Sequence, residues 1–579
     1  MHSKILTALF FLFCGSCLSC QTGNRDFIEK EIRRTMRQQH LPAMAVALVD
    51  DQEILYLGAK GLIDIENNIP ASTRSVFKLW SLAKVFTALE IFREIEEGLV
   101  DLDAPLTSYL PEFRIQSRFT ENQPITIREM LAHRAGLPRH EGLLPVGTVR
   151  EDNNFIEPFE LGAWNIYRTY PVAYRYKYSN LGYDLLGRVI EETRDEVYFK
   201  HMKVKVLNDL GMINSSFYSG GIDSTLPRVL GYEYHKRKYY PLVQYDINNF
   251  PSGNLYATIE DLSVFLQAVF RDDVFEKKET ISRMFEDHFS TPEDTQPMGL
   301  GWKLASIGNN EPLIWHDGGP TEGIGSLIAF LPRRKLGIAV IGNANTFSGY
   351  YSTGFAIDIL STLAEEKSGI EYPEPQKPVE LEVETELLKE REGKYAVMGS
   401  ILDLSLKGSK LKARIGGMGF QLVPVKDGEF ALTNWMHKIG LTRIIRSSED
   451  INDLRIRFVD TPADGRSYMI LNFNNISYDI CPRYPVQQVI PDSWKALAGS
   501  YDRAEVLPGN IIGELSGGHM DLGIEDGVLS MSAPYGPVYP VDDTSILILS
   551  GSYIGEVMDY SPESGLILHQ KTAFLPERE

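Results

Sequence analysis

Three apolar runs near the middle of the chain do most to limit its fold. PLIWHDGG (312–319), IGSLIAFLP (324–332) and KLGIAVIGNAN (335–345) are parted by a short Gly-containing stretch and a Pro-Arg-Arg turn. Short apolar runs bounded by turn residues read as consecutive antiparallel strands. Far upstream, MAVALVD (44–50) and EILYLGAKG (53–61) read as a second set of paired strands. Between the two sets lie helical patterns, above all SLAKVFTALEIFREIEEG (81–98), and IEKEIRRTMRQQ (28–39) precedes them both. Strands at both ends of a region with helices between them predict an α+β domain with one antiparallel sheet.

The texture changes after residue 365. EEKSGIEYPEPQKPVELEVETE carries three prolines in six residues among glutamates and reads as a stiff acidic linker. Beyond it short alternating strands repeat themselves. REGKYAVM (391–398) matches LAGSYDRA (497–504), and LDLSLKGSKLKARI (402–415) matches MDLGIEDGVLSMSA (520–533). FQLVPVKDGEFAL (420–432) likewise resembles PVYPVDDTSILIL (537–549). A repeat of this length is far longer than a solenoid unit. It predicts two copies of a small all-β barrel, with one irregular β-sandwich as the alternative. The expected division is therefore 1–20 export signal, 26–365 α+β domain, 366–386 linker, and barrels over 387–490 and 491–579.

At 579 residues the chain is too long for one core, and its net charge of −20 argues against nucleic acid as a partner. The N-terminus, MHSKILTALFFLFCGSCLSC, has a charged start and an apolar run too short to span a bilayer. It resembles a bacterial lipoprotein signal with Cys20 as the lipidation site, although Cys17 stands where an aliphatic residue is usual. The expected location is the periplasm or outer membrane, with a lipid anchor as the only membrane contact. Three of the four cysteines lie in this segment, so no disulfide framework is available.

Ser-x-x-Lys occurs at Ser75–Lys78, Ser81–Lys84 and Ser409–Lys412. A catalytic pair needs both side chains on one helical face, a helix N-terminus at the serine and a lysine drawn out of water. Only Ser81 opens a helix that is apolar almost all round. Lys78 follows a loosely alternating, turn-like stretch and is expected to meet solvent. Ser409–Lys412 falls in a hairpin, where residues three apart face opposite ways. The nucleophile is therefore expected at Ser81, with Lys84 as its base.

Two further clusters follow: Tyr178-Ser179-Asn180 before an amphipathic helix, and His316-Asp317-Gly318 at the end of an apolar strand. Each alone could be a capping turn or a strand end. In this order and spacing they resemble the serine hydrolases of the penicillin-binding-protein and β-lactamase family, in the branch of class C β-lactamases, D-aminopeptidases and esterases. LPAMAVALVDDQEILYLGAKG, GLVDLDAPLTSYLPEF, ITIREMLAHRAGLPRH (with Ala135 where a serine is usual) and PSGNLYATIEDLSVFL agree with it, over roughly residues 27–365. A catalytic domain followed by two barrels looks most like the D-aminopeptidases.

The resemblance implies acyl transfer through a Ser81 acyl-enzyme. Lys84 and Tyr178 would share the base role, Asn180 would hold Lys84 and the substrate, and the Ser81 and Gly319 N–H groups would form the oxyanion hole. No cofactor or metal is implied, and His133 and His140 lack the spacing of a zinc site. The expected partner is a small peptide, amide or ester. His316 is at most partly charged and Asp317 is negative, so a substrate carboxylate beside the reacting carbonyl is expected to bind poorly. Two other readings compete: an esterase or acyltransferase to an alcohol, and a non-catalytic binding lipoprotein on the same fold. The sequence does not give the oligomeric state.

Overall fold

The computed structural model describes residues 24–140, 166–369, 379–433 and 454–576, with interruptions of at most six residues. The signal-like segment with Cys14, Cys17 and Cys20, and the middle of the Pro/Glu-rich linker (370–378), lie outside the described residues. The helix Gly349–Ser368 runs three residues into the stretch expected to be linker.

In the first domain, β1 (Ala43–Asp50) and β2 (Ile54–Asp64) form a hairpin followed by the short β3 (Ile69–Pro70). β4 (Phe77–Trp80) leads into the helix α2 (Ala83–Glu97), which follows α1 (24–38) and precedes the short α3 (Ile127–Leu131), and β5 (Gly231–His235) and β6 (Lys238–Leu242) form a side hairpin. β7 (Leu255–Ala257) pairs with β4. β8 (Lys303–Ile307), β9 (Glu311–Gly318), β10 (Gly325–Leu331) and β11 (Leu336–Gly342) complete the main sheet in the order β3-β2-β1-β11-β10-β9-β8. The first and last strands meet at its centre, with Val46 opposite Val340. The three apolar runs are consecutive antiparallel strands, as the sequence predicts.

Both faces of the central strands β1, β10 and β11 are covered, which is why these read as unbroken apolar runs. Ala45, Ala47, Ile328 and Ile341 face a core built around α2 (Ala83–Glu97). Val46, Leu48, Leu327 and Val340 face a second core, closed by a helix over 24–38 through Ile28 and Ile32 and by Gly349–Ser368 through Phe355, Ile359 and Leu363. α2 is the central helix of the first core. Phe86, Leu89, Ile91 and Phe92 are fully buried, each worth about 1.5–3 kcal/mol. Gly98 ends it in the left-handed conformation (φ 78°) that a helix C-terminus favours.

The tail forms two closed antiparallel barrels of eight strands, not one sandwich. The first runs from Gly393–Val397 to Ile476–Tyr484 and the second from Gly499–Leu507 to Thr572–Pro576. Closure removes the exposed edges that short strands would otherwise carry. The repeat extends to detail. Tyr395 and Tyr501 are equivalent core residues, and each hydroxyl donates to a carbonyl four residues back, of Arg391 and Leu497. A short helix precedes each, at Thr385–Lys389 and Asp492–Ala496. Cys481 lies buried in the first barrel's core.

Candidate active site

Ser81 sits in the turn between β4 and α2, one residue ahead of the helix N-cap Leu82. Trp80 takes φ 51°, a conformation uncommon for a bulky residue, and this turns the chain sharply at the serine. Lys84 lies one helical turn on and is completely buried, and its Nζ donates to Ser81 Oγ at 3.2 Å. The Tyr178 hydroxyl donates to the same oxygen at 2.7 Å. Three residues singled out in the sequence thus meet at one atom.

Tyr178 and Asn180 flank the start of α4 (Asn180–Arg194), where Ser179 is the N-cap and accepts from the Gly182 N–H at 3.0 Å. The capping turn is real, and it also fixes the two neighbouring side chains. Asn180 does not hold Lys84 as expected. Its amide nitrogen lies 3.1 Å from His140 Nε2, and its buried Oδ1 has no partner among the described residues. The Ser252 carbonyl takes that part, accepting from Lys84 Nζ at 2.5 Å. A free backbone carbonyl has no sequence signature, so Ser252 was not foreseen.

β9 brings up the third cluster. His316 pairs in register with Ile328 and therefore faces the α2 core; Asp317 pairs with Leu327 and faces the opposite core. Asp317 is bound by Lys303 Nζ at 2.5 Å, and its carboxylate lies against Gly349. The expectation that its charge would repel a substrate carboxylate loses its basis, because the side chain points away from Ser81 and is neutralised. His316 Nδ1 lies 2.8 Å from the Asp317 carbonyl, and its buried Nε2 has no partner among the described residues. Gly319 follows in the left-handed region (φ 84°). Among the described residues neither its N–H nor that of Ser81 has a backbone acceptor. Lys78, expected at the surface, is fully buried and paired with Glu322, which the loop after Gly319 carries inward.

Burial dominates the electrostatics. It pushes the Lys84 ammonium well below its ordinary range, against the pull of the Asp184 carboxylate. Asp184 is itself raised to about 6 by burial, while hydrogen bonds from Ser252 and Asn249 hold it down. Burial also raises the Tyr178 phenol, and the Arg139 guanidinium, 5.1 Å from its ring centre, works the other way. His316 is pushed down to about 3 and is neutral at physiological pH. Asp184 was missed as well, although a carboxylate on the apolar face of α4 was there to be noticed.

The second barrel reaches the site. Glu556, fully buried, accepts from Lys177 Nζ at 3.0 Å and from the Arg139 N–H at 2.9 Å. Its other oxygen lies 2.9 Å from His569 Nε2. Lys177 adjoins Tyr178, and Gly555 packs so tightly on Tyr170 that a side chain there would collide with the ring. No linear motif marks this contact.

A family model described as Beta-lactamase matches residues 28–358. The chain is 23% identical to protein flp of Staphylococcus aureus over 325 residues, 55% of this chain and 63% of that protein. It is 27% identical to beta-lactamase-like protein 2 of Dictyostelium discoideum over 247 residues, 41% of this chain and 44% of that one. Among solved structures it is similar to the octameric penicillin-binding protein homologue of Pyrococcus abyssi (TM-score 0.52, 21% identity, 79% of this chain and 99% of the other). It is also similar to SurE in complex with D-Leu (TM-score 0.53, 19% identity, 80% and 100%). With the fold matching at both levels, the chain belongs to the beta-lactamase family, whose members are generally serine hydrolases.

Proposed function

We propose that this protein is an exported serine hydrolase that cleaves a small peptide, amide or ester through a Ser81 acyl-enzyme. The observation that carries the reading is the convergence of Lys84 Nζ and Tyr178 Oη on Ser81 Oγ, at 3.2 and 2.7 Å. With its ammonium disfavoured by burial, Lys84 is the neutral amine that accepts the serine proton. Tyr178, a phenol whose ionisation burial opposes, gives its proton to the leaving group and takes back the one Lys84 received from Ser81, instead of starting as the base. The N–H groups of Ser81 and Gly319 receive the charge that develops on the carbonyl oxygen.

Substrates with D-configured residues are the first choice. A catalytic domain followed by two barrels resembles the D-aminopeptidases, and one structural neighbour was solved with D-Leu. The nearby carboxylates do not favour an obligatory free amine: Asp317 is matched by Lys303 and Glu556 by Lys177. Blocked amides and neutral esters therefore belong in the same screen.

The test is labelling with an alkyl fluorophosphonate, followed by peptide mapping, with Ser81→Ala alongside. One adduct on the Ser81 peptide, absent from the variant, is expected. D- and L-amino-acid p-nitroanilides, free and N-blocked, then rank the substrates against p-nitrophenyl esters. An unlabelled native protein, or label on Ser75, would sink the reading and favour a binding module.

A further inference from the structure

Lys78 and Glu322 form an ion pair that no part of the scheme above uses. Lys78 Nζ lies 3.2 and 3.4 Å from the two Glu322 oxygens, with the side chains 0% and 5% exposed. The ammonium also stands 3.7 Å from the centre of the Trp80 ring. A buried pair of this kind is costly to desolvate and gives little net stability compared with apolar residues of the same size. Its location is what singles it out.

Lys78 is three residues before Ser81, and Glu322 three residues after Gly319. These are the two residues whose N–H groups would receive the oxyanion, and they come from segments far apart in the chain. On one side the two segments already touch. The Ser326 hydroxyl donates to the Leu79 carbonyl at 3.0 Å, and Gly318 packs so closely on that carbonyl that no Cβ would fit. On the other side the Lys78–Glu322 pair joins them. Both arms turn through unfavourable backbone near their donor, at Trp80 (φ 51°) and at Glu322 itself (φ 49°). The Glu322 carbonyl accepts from Gln244 at 3.1 Å and crowds Gly231, so the loop is held from behind as well.

We propose that Lys78 and Glu322 are positioning residues that set the separation and aim of the Ser81 and Gly319 N–H donors. A directional pair that uses both carboxylate oxygens fixes geometry in a way an apolar contact of equal volume does not. The inference rests on the serine hydrolase reading and concerns how its oxyanion site is held.

The test measures the second-order rate of Ser81 phosphonylation by an alkyl fluorophosphonate across pH, in the full chain. The variants are Glu322→Gln, Lys78→Met and the double Lys78→Met/Glu322→Met, with folding checked by near-UV circular dichroism and thermal unfolding. Losing an oxyanion donor costs about 10²–10³ in rate, and displacing one should cost about 10–100-fold. The single variants are expected to lower the plateau of the pH profile by that factor without moving its acidic limb, which belongs to Lys84. The double variant should regain thermal stability, because no buried charge is left unpaired, while its plateau stays low. Folded single variants that label within twofold of wild type would overturn the proposal. So would a loss explained wholly by a shifted limb, or a double variant that regains rate together with stability. A wild-type protein that takes no label at Ser81 would overturn the hydrolase reading and this inference with it.

Discussion

The contact between the second barrel and the beta-lactamase-like domain can be weighed by Glu556→Gln. In the folded protein burial alone would raise this carboxyl, but Lys177 and the hydrogen bond from His569 bring it down to about 2, against an ordinary 4.5. At about 1.36 kcal/mol per pH unit, that difference corresponds to roughly 3 kcal/mol. The group is fully buried, so solvent screening takes little from this figure. Removing one partner of a buried pair typically costs about 3–5 kcal/mol, in agreement. Because the folded value is depressed, the stabilisation is present above pH 4.5 and is lost as pH falls toward 2. Several domains make a single unfolding free energy ill-defined, so native-state hydrogen exchange is the suitable assay. At pH 7 the variant should exchange about a hundredfold faster in the segments around Lys177 and Glu556, with the first barrel's strands unaffected. The difference from wild type should shrink when compared near pH 3. As Lys177 adjoins Tyr178, phosphonylation of Ser81 should slow by up to about 10²-fold. Exchange within threefold of wild type at pH 7 would refute the idea that this ion pair fastens the barrel to the site.

Three other outcomes follow from the geometry. Gly319→Ala places a side chain at φ 84°, adding about 1–2 kcal/mol of strain and shifting a donor, so Ser81 acylation should fall about 10²–10³-fold while the melting temperature changes little; an unchanged rate would remove Gly319 from the oxyanion site. Lys84 is depressed by burial, so the rate should rise with pH and level off well below the range of a free lysine, and a limb near 10 would contradict its burial. Arg139 lowers both Lys84 and Tyr178, so Arg139→Leu should move that limb to higher pH with the plateau kept within about tenfold; a stationary limb would show the guanidinium to be screened.

How far the sequence led depends on the range of each interaction. The sheet was legible because two buried faces produce unbroken apolar runs, and β9, β10 and β11 fall where those runs lie. The barrels were legible because one pattern occurs twice, down to the tyrosines at 395 and 501. Ser81 could be chosen over Ser75 because a buried helix leaves a local imprint, and the convergence with Tyr178 followed from motif order. Lys78 was misjudged for the opposite reason. Phe77-Lys78-Leu79-Trp80 is buried at all four positions, yet a lysine in a short strand looks like surface unless its carboxylate, 244 residues away, is known.

The same limit explains Glu556, Ser252 and the direction of Asp317. A register of one residue decides whether Asp317 faces Ser81 or the far core, and the pairing of Leu327 with Asp317 settles it. The charge argument built on that residue was sound in its chemistry and wrong in its face. Local pattern thus gave the candidate reacting groups, whereas the groups that tune and hold them (Ser252, Asp184, Glu322, Glu556) come from pairings across the chain. Variants at Glu322 and Glu556 should therefore separate how the site is held from what it does more cleanly than variants at Ser81 or Lys84.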